Sequence, residues 1–173
     1  MNTYLTTDTH FGHDKIMEYC GRPKNHEKLI TNELKRLKSN HMLIHLGDIC
    51  WGNDKEWHES VIQPLPCKKI LVRGNHDSKS NNWYMNHGWD FVCNQFQLKR
   101  GKNIIVFSHE PRAWDGYFDL NIHGHLHNAQ HHLKNEMLGI QRHGQYLICI
   151  EDLKYKLVSL DKLLGGIFKT QPE

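Results

Sequence analysis

"KILVRGNHD", Lys69 to Asp77, is a short apolar run that stops at a polar cluster. Runs of this length, rich in Ile, Leu and Val, read as buried strands. Similar runs recur at 3–7 (TYLTT), 42–46 (MLIHL), 103–107 (NIIVF), 119–122 (DLNI) and 146–150 (YLICI), with LVSL at 157–160 as a further strand. The segments between them suit helices at 13–20, 25–39, 53–65 and 83–88. In the second of these, Leu29, Ile30, Leu34 and Leu37 form an apolar stripe at helical spacing, with Asn25 near its start. Asn53 or Asp54 is the expected cap of the third, and Gly88 the stop of the fourth. Strands alternate with helices early and dominate late. That order predicts a layered α/β protein with a mixed sheet or two packed sheets.

The chain has 173 residues, the size of one domain over residues 1–173. A domain of this size buries roughly 70% of its unfolded surface, so it needs neither disulfide nor structural metal to fold. The five cysteines are scattered, odd in number and lack a CxxC, as expected of reduced, mostly buried thiols in a cytoplasmic protein. No signal peptide is legible at the start, and no apolar run reaches the roughly 20 residues of a membrane span. A net charge of +3 is too mild to argue for nucleic acid. The 15 histidines are the compositional excess that asks for a reason.

The ends of the runs supply one. The first is followed by Asp8 and His10, the second by Gly47 and Asp48, and the third by Gly74, Asn75, His76 and Asp77. Ser108 and His109 follow the fourth, and the fifth leads into "NIHGHLHN", Asn121 to Asn128. There His123, His125 and His127 alternate, which puts all three on one face if the segment is extended. Sites in open α/β sheets assemble at the carboxyl ends of strands. Five successive strands ending in acid, amide or imidazole groups therefore describe a site. Asp8, His10, Asp48, Asn75, His109, His125 and His127 are too many ligands for one ion and about right for two with a shared carboxylate. Mixed N/O donors suit Mn, Fe, Zn, Ni or Co, and no cysteine occupies these positions. Two such ions clamp a phosphate and activate water.

The five motifs, in their order DxH, GD, GNHD, lone His and GHxH, resemble those of calcineurin-like metallophosphoesterases, and the resemblance covers nearly the whole chain. It implies a β-sandwich flanked by helices and a metal-dependent phosphoric ester hydrolase. It implies that Asp8, His10 and His127 hold one divalent ion and that Asn75, His109 and His125 hold the other. Asp48 would bridge them, and a hydroxide between them would attack phosphorus. Manganese is the expected ion, with Fe, Ni, Zn, Co or Mg as alternatives. His76 would lie over the phosphate, stabilise developing charge and assist the leaving oxygen. "GDICWG" lacks the GDxxDRG extension of protein phosphatases. That favours a compact, accessible site. The first motif runs on as "DTHFGHDKI", which resembles small bacterial and phage-type members, and the expected substrate is a small or nucleotide-like phosphodiester. A nuclease or a phosphomonoesterase is the alternative, and a non-catalytic binding module a distant third.

Secondary candidates surround these. Asp77 and His123 are expected to support ligands, and Arg22 and Arg112 to contact phosphate, since guanidinium matches phosphate geometry. Arg73 is a lesser phosphate candidate. His13 reads as a polar residue at a helix start, and His45 as a satisfied core histidine. Trp51 and Trp114 follow motifs and read as packing or as stacking surfaces. His131 and His132 read as an exposed pair.

Overall fold

The computed structural model describes residues 1–128 and 144–169. His131 and His132 lie outside them. The first sheet is built from β1 (Asn2–Thr6), β2 (His41–His45), β3 (Lys68–Val72), β4 (Phe91–Cys93) and β9 (Val158–Ser159), in the order β4-β3-β2-β1-β9. β1 to β4 run parallel, and β9 pairs antiparallel with β1. The second sheet, β5-β6-β7-β8, comprises Gln95–Arg100, Asn103–Ser108, Leu120–His123 and Gln145–Leu147. β6, β7 and β8 are mutually parallel, and β5 is antiparallel to β6.

Parallel strands buried on both faces need apolar residues at successive positions, and the sequence supplies them. The short helix α1 (Ile16–Cys20) follows the first strand-end loop. In β2, Leu43 packs toward the helices α2 (His26–Leu34), α3 (Asp54–Trp57) and α4 (Asn81–Asn86) in a core with Ile30, Leu34 and Tyr84. Its neighbour Ile44 faces the other way, into a core shared with Ile105, Phe107 and Ile122 of the second sheet and Leu160 and Leu164 of α5 (Leu160–Lys169). The result is two packed sheets with helices outside, the α/β sandwich expected.

Several boundaries differ from expectation. α2 stops at Leu34 instead of running to residue 39, and Asn25 makes no side-chain cap bond. α3 passes into a π-helical turn over His58–Ile62, and Asn53 makes no cap bond either. Ser80 caps α4 by accepting from the Trp83 N–H at 3.1 Å, which starts that helix earlier than 83. Strands β4 and β5 and helix α5 are additions. In α5 the pair Gly165–Gly166 masks a strongly apolar face, because glycine disfavours helix locally while packing on the sheet decides.

The five cysteines are free, and Cys93 alone is half-buried while the other four are buried. Among the described residues no helix is long and apolar enough to cross a membrane.

Candidate metal centre

The carboxyl ends of β1, β2, β3, β6 and β7 converge on one edge of the sandwich. Their loops are tied together before any side chain is considered. The Asp8 N–H donates to the Gly47 carbonyl at 2.9 Å and the His10 N–H to the Asp48 carbonyl at 3.1 Å. Asp77 completes the tie: its carboxylate accepts from the N–H groups of Asp48 (2.9 Å), Ile49 (3.1 Å) and Gly74 (2.8 Å). Burial raises the Asp77 carboxyl, and these donors pull against that. Asp48 in turn accepts from the His76 N–H at 2.9 Å, which locks the third loop to the second.

Five of the seven ligand candidates adopt left-handed backbone: Asp8, His10, Asp48, His125 and His127 have φ of 49°, 47°, 57°, 70° and 48°. Non-glycine residues pay roughly 1–2 kcal/mol there, and such strain concentrates at functional sites. It also corrects the expectation for the HGHLH stretch. β7 ends at His123, and the left-handed turns at His125 and His127 send these imidazoles to different neighbours instead of leaving three on one extended face.

Two clusters result. Asp8, His10 and His127 form one; Asp48, His109 and His125 form the other, each with its ligand atoms within 4.8 Å of one another. In the second, His109 Nε2 lies 3.0 Å from Asn75 Oδ1, 3.0 Å from His125 Nδ1 and 3.3 Å from Asp48 Oδ2. In the first, His10 Nε2 lies 3.9 Å from Asp8 Oδ1 and 3.6 Å from Asp48 Oδ2, and His127 Nε2 is 3.9 Å from Asp8 Oδ1. Ligands about 2.1 Å from a shared ion stand about 3–3.5 Å apart; the second cluster has that spacing, while the first, at 3.6–3.9 Å, is a few tenths of an ångström wider and closes by that much around an ion. Asp48 reaches both clusters.

The donor set passes a second test. Asp8 Oδ1 and both ring nitrogens of His10 are buried without a hydrogen-bond partner, an expense that a cation offsets. Burial pulls His10 down to about 2, against the pull of Asp48, so the ring stays in the neutral form that ligates. Burial would raise Asp48, but the bond to His109, the charge on that ring, the His76 N–H and His10 together outweigh it and hold the carboxylate at about 2. Burial would lower His109, but the Asp48 bond, the Asp8 and Asp48 charges and the Leu46 carbonyl together lift it to about 9, so this ring gives up a proton when an ion takes the place between it and Asp48. These residues can hold divalent ions.

The supporting residues sort differently from expectation. Arg22 is not a substrate contact: its side chain has no solvent exposure, and it donates to the Asp8 carbonyl (2.6 Å), the Thr9 carbonyl (2.9 Å) and Glu151. Glu151 is the residue the sequence reading missed. It accepts from Arg22 and takes His127 Nδ1 at 3.2 Å, fixing the ring behind the first cluster. The signal was available, since Glu151 follows the run YLICI as the other site residues follow theirs. Cys20 joins His127 and Glu151 in a third group within 4.8 Å, so a thiol stands closer to the centre than the sequence suggested. His123 is buried and donates from Nδ1 to the Gly124 carbonyl at 3.0 Å; no bond to a ligand side chain accompanies it. His45 is buried, with Nε2 3.1 Å from Thr9 Oγ1 and Nδ1 accepting from the Gly47 N–H at 3.1 Å. Arg73 donates to the Asp77 carbonyl at 2.7 Å and so braces that loop.

Two clefts open beside the clusters. One, of about 640 Å³, is lined by His10, His127, His76, His13, Trp51 and Tyr19 among others. The other, of about 980 Å³, is lined by Asn75, His109, Asn94, Gln95, Arg73 and Arg112 among others. The Arg112 backbone is pinned to Asn121 Oδ1 at 2.8 Å, and its side chain is exposed. Trp114 is exposed too, with Nε1 donating to the Phe118 carbonyl at 3.3 Å.

The candidate ligands at the strand ends of a two-sheet sandwich suit a metal-dependent phosphoric ester hydrolase. The calcineurin-like phosphoesterase pattern matches residues 1–164, and the chain belongs to that family. It is 27% identical over 177 residues to the uncharacterized protein MJ1445 of Methanocaldococcus jannaschii, covering 96% of this chain and 91% of that one. The crystal structure of AQ665 from Aquifex aeolicus, a protein of unknown function, is similar with a TM-score of 0.73 at 28% identity, over 94% of this chain and 97% of that one. A Pseudomonas putida nuclease, MPE, is a weaker likeness, with a TM-score of 0.49 at 22% identity over 72% of this chain and 61% of that one.

Proposed function

We propose that the protein is a phosphodiesterase with a dinuclear centre. In this reading Asp8, His10 and His127 hold one divalent ion, Asn75, His109 and His125 the other, and Asp48 lies between them. Bound there, the ions supply Lewis acidity and an activated water. The chain's own residues do the rest. His76, its side chain about one-third exposed at 35% with Nε2 3.9 Å from Asp48 Oδ2, faces the first cleft and assists the leaving oxygen. The Arg22–Glu151 pair fixes His127, and Asp77 fixes the loops that carry Asp48 and His76.

The observation that carries the diester preference is the pair of clefts, one on each side of the centre. A phosphodiester has two ester substituents to place; a monoester leaves one cleft without a role. Arg112 in the second cleft suits the anionic part of the retained substituent. The mixed N/O donor set admits Mn, Fe, Ni, Zn, Co and Mg, and Mn is the ion the family resemblance favours; all are tested side by side.

Chelator-stripped protein reloaded with single metals is assayed on bis-p-nitrophenyl phosphate and p-nitrophenyl phosphate. Metal-dependent turnover that favours the diester is expected. Preference for the monoester would make the protein a phosphatase, and silence on both esters with two ions bound would remove the catalytic reading.

A further inference from the structure

The residues that make the clusters account for only part of the lining of the 640 Å³ cleft. Trp51, His13 and Tyr19 line it as well. The Trp51 indole is 47% exposed and the Tyr19 ring 54% exposed. Core packing does not require either ring to stand there. They are not scattered. The His13 ring lies flat on Trp51 with centroids 4.4 Å apart at 12°, and Tyr19 meets the edge of His13 at 6.0 Å. The edge of the array reaches the centre itself, since Trp51 meets His76 at 4.6 Å and 61°. An aromatic wall thus begins at the residue assigned to the leaving oxygen and runs outward along the cleft. The apolar Ile16, with Asp14 and Lys15, also lines the cleft.

The second cleft has no such wall. Asn94, Gln95, Ser108, Glu110 and Arg112 line it. The two sides of the centre therefore differ in chemistry: rings on the His76 side, and on the Asn75 side polar groups with charges of both signs, Arg73 and Arg112 against Glu110 and Asp115. A symmetric pair of esters would gain nothing from this difference. A substrate with a planar ring on one side of its phosphate would be oriented by it.

We infer that the Trp51–His13–Tyr19 wall is a nucleobase subsite, so that the diester's leaving group is a nucleoside. This rests on the phosphodiesterase reading above. Every base has a π-face that stacks on an aromatic ring whatever its sequence identity. A cleft of about 640 Å³ lies within the roughly 300–1,000 Å³ of small-ligand sites. The polar side then holds the retained substituent. No covalent step is added: the ester bond broken is the one to the nucleoside oxygen, which leaves with a proton on the side where His76 stands.

The test is equilibrium binding to metal-loaded protein by calorimetry. Adenosine 5′-monophosphate, ribose 5-phosphate and inorganic phosphate are compared in the parent and in Trp51→Ala and Trp51→Phe. The parent is expected to bind the nucleotide about tenfold or more tighter than the sugar phosphate, the ordinary worth of one stacked base. Trp51→Ala should bring that ratio close to one, Trp51→Phe should keep most of it, and phosphate binding should be equal in all three. A merely structural role for Trp51 would weaken all three ligands together, and that result overturns the subsite. So does a parent that binds nucleotide and sugar phosphate alike. Should Trp51→Ala fail to fold, Tyr19→Ala and Trp51→Phe carry the same comparison. A single-stranded thymidine oligomer in a further arm separates a nucleotide from a strand end, and Trp51-dependent affinity in either arm supports the subsite. Turnover of bis-p-nitrophenyl phosphate, measured in parallel, reports on the catalytic reading separately. Loss of turnover with an intact base-dependent ratio would sink the catalysis and leave the subsite standing.

Discussion

The Arg22 guanidinium grips the Glu151 carboxylate through two nitrogens, Nε at 2.8 Å and Nη2 at 2.6 Å, across 129 residues of sequence. Both side chains are screened from water, at 0% and 6% exposure. Burial would raise Glu151, but His127 and Arg22 together hold it down at about 2. This pair is the brace of the Asp8 cluster, because Arg22 also holds the Asp8 carbonyl and Glu151 holds His127. Removing one partner of a buried pair costs about 3–5 kcal/mol, since it strands the other charge. Arg22→Ala should therefore lower the melting temperature of metal-stripped protein by roughly 6–20 °C, with Arg22→Lys between it and the parent. Thermal unfolding decides the matter. An unchanged midpoint together with a raised KM would return Arg22 to substrate binding.

Asp77 accepts three backbone N–H groups from two loops. An amide in its place offers one acceptor oxygen and turns an NH2 group toward an N–H. Asp77→Asn should leave at least one N–H unsatisfied, at about 1–3 kcal/mol. The Asp48 and His76 loops should loosen with it, and a shift near 1 Å is enough to cost about 100-fold in turnover. Amide hydrogen exchange at Asp48, Ile49 and Gly74 should accelerate in the variant. Exchange equal to the parent at all three would remove Asp77 from its role as the clasp.

The strand-end pattern was legible because it obeys two simple rules at once. A doubly buried strand must be apolar through its length, and a site at its carboxyl end must change chemistry abruptly. Lys69–Asp77 shows both. What stayed hidden was direction. The sequence "CGRP" shows that an arginine follows the first motif but not that its side chain turns inward to the Asp8 carbonyl. HGHLH shows three alternating histidines, yet alternation predicts a common face only while the backbone is extended. The positive φ of His125 and His127 ends that condition. Glu151 obeys the same strand-end rule but belongs to no motif that would mark it. Helix α5 was hidden by its two glycines, whose local preference the packing of Leu160 and Leu164 overrides.

Gly124 follows from close approach, not from a turn. A side chain placed there would collide with the Thr7 hydroxyl and the Asp8 carboxylate. The Thr7 hydroxyl donates to Asp8 Oδ2 at 2.7 Å and the His125 N–H donates to the same oxygen at 2.9 Å, so the carboxylate has no room to retreat. Gly124→Ala should displace Asp8 and cost the first cluster its ion. The same change at Gly165, whose added carbon would meet nothing within 4 Å, should be neutral or mildly stabilising. Metal content by elemental analysis separates them. A Gly124→Ala protein that retains the parent's full metal content would show that the Asp8 carboxylate is not a required ligand.

His76 and Asp48 are near neighbours with different assignments, and paired substitutions tell the assignments apart. The His76 N–H is bonded to Asp48 Oδ1, while its ring projects into the cleft at 35% exposure. Truncating the ring leaves that backbone bond in place. His76→Ala should keep its metal and lose about 100-fold or more in turnover, the usual worth of one acid or charge stabiliser. The loss should grow as the leaving group becomes a poorer one, because a p-nitrophenolate needs little help and an alkoxide needs much. Asp48 instead touches both clusters through Oδ2, 3.6 Å from His10 Nε2 and 3.3 Å from His109 Nε2. Asp48→Asn removes the negative charge that both sets of imidazoles face and should lower metal content along with turnover. Elemental analysis combined with kinetics on two esters of different leaving-group pKa reads all of this. Full metal content in Asp48→Asn would break its bridging assignment. A His76→Ala enzyme equally fast on both esters as the parent would take His76 out of the reaction.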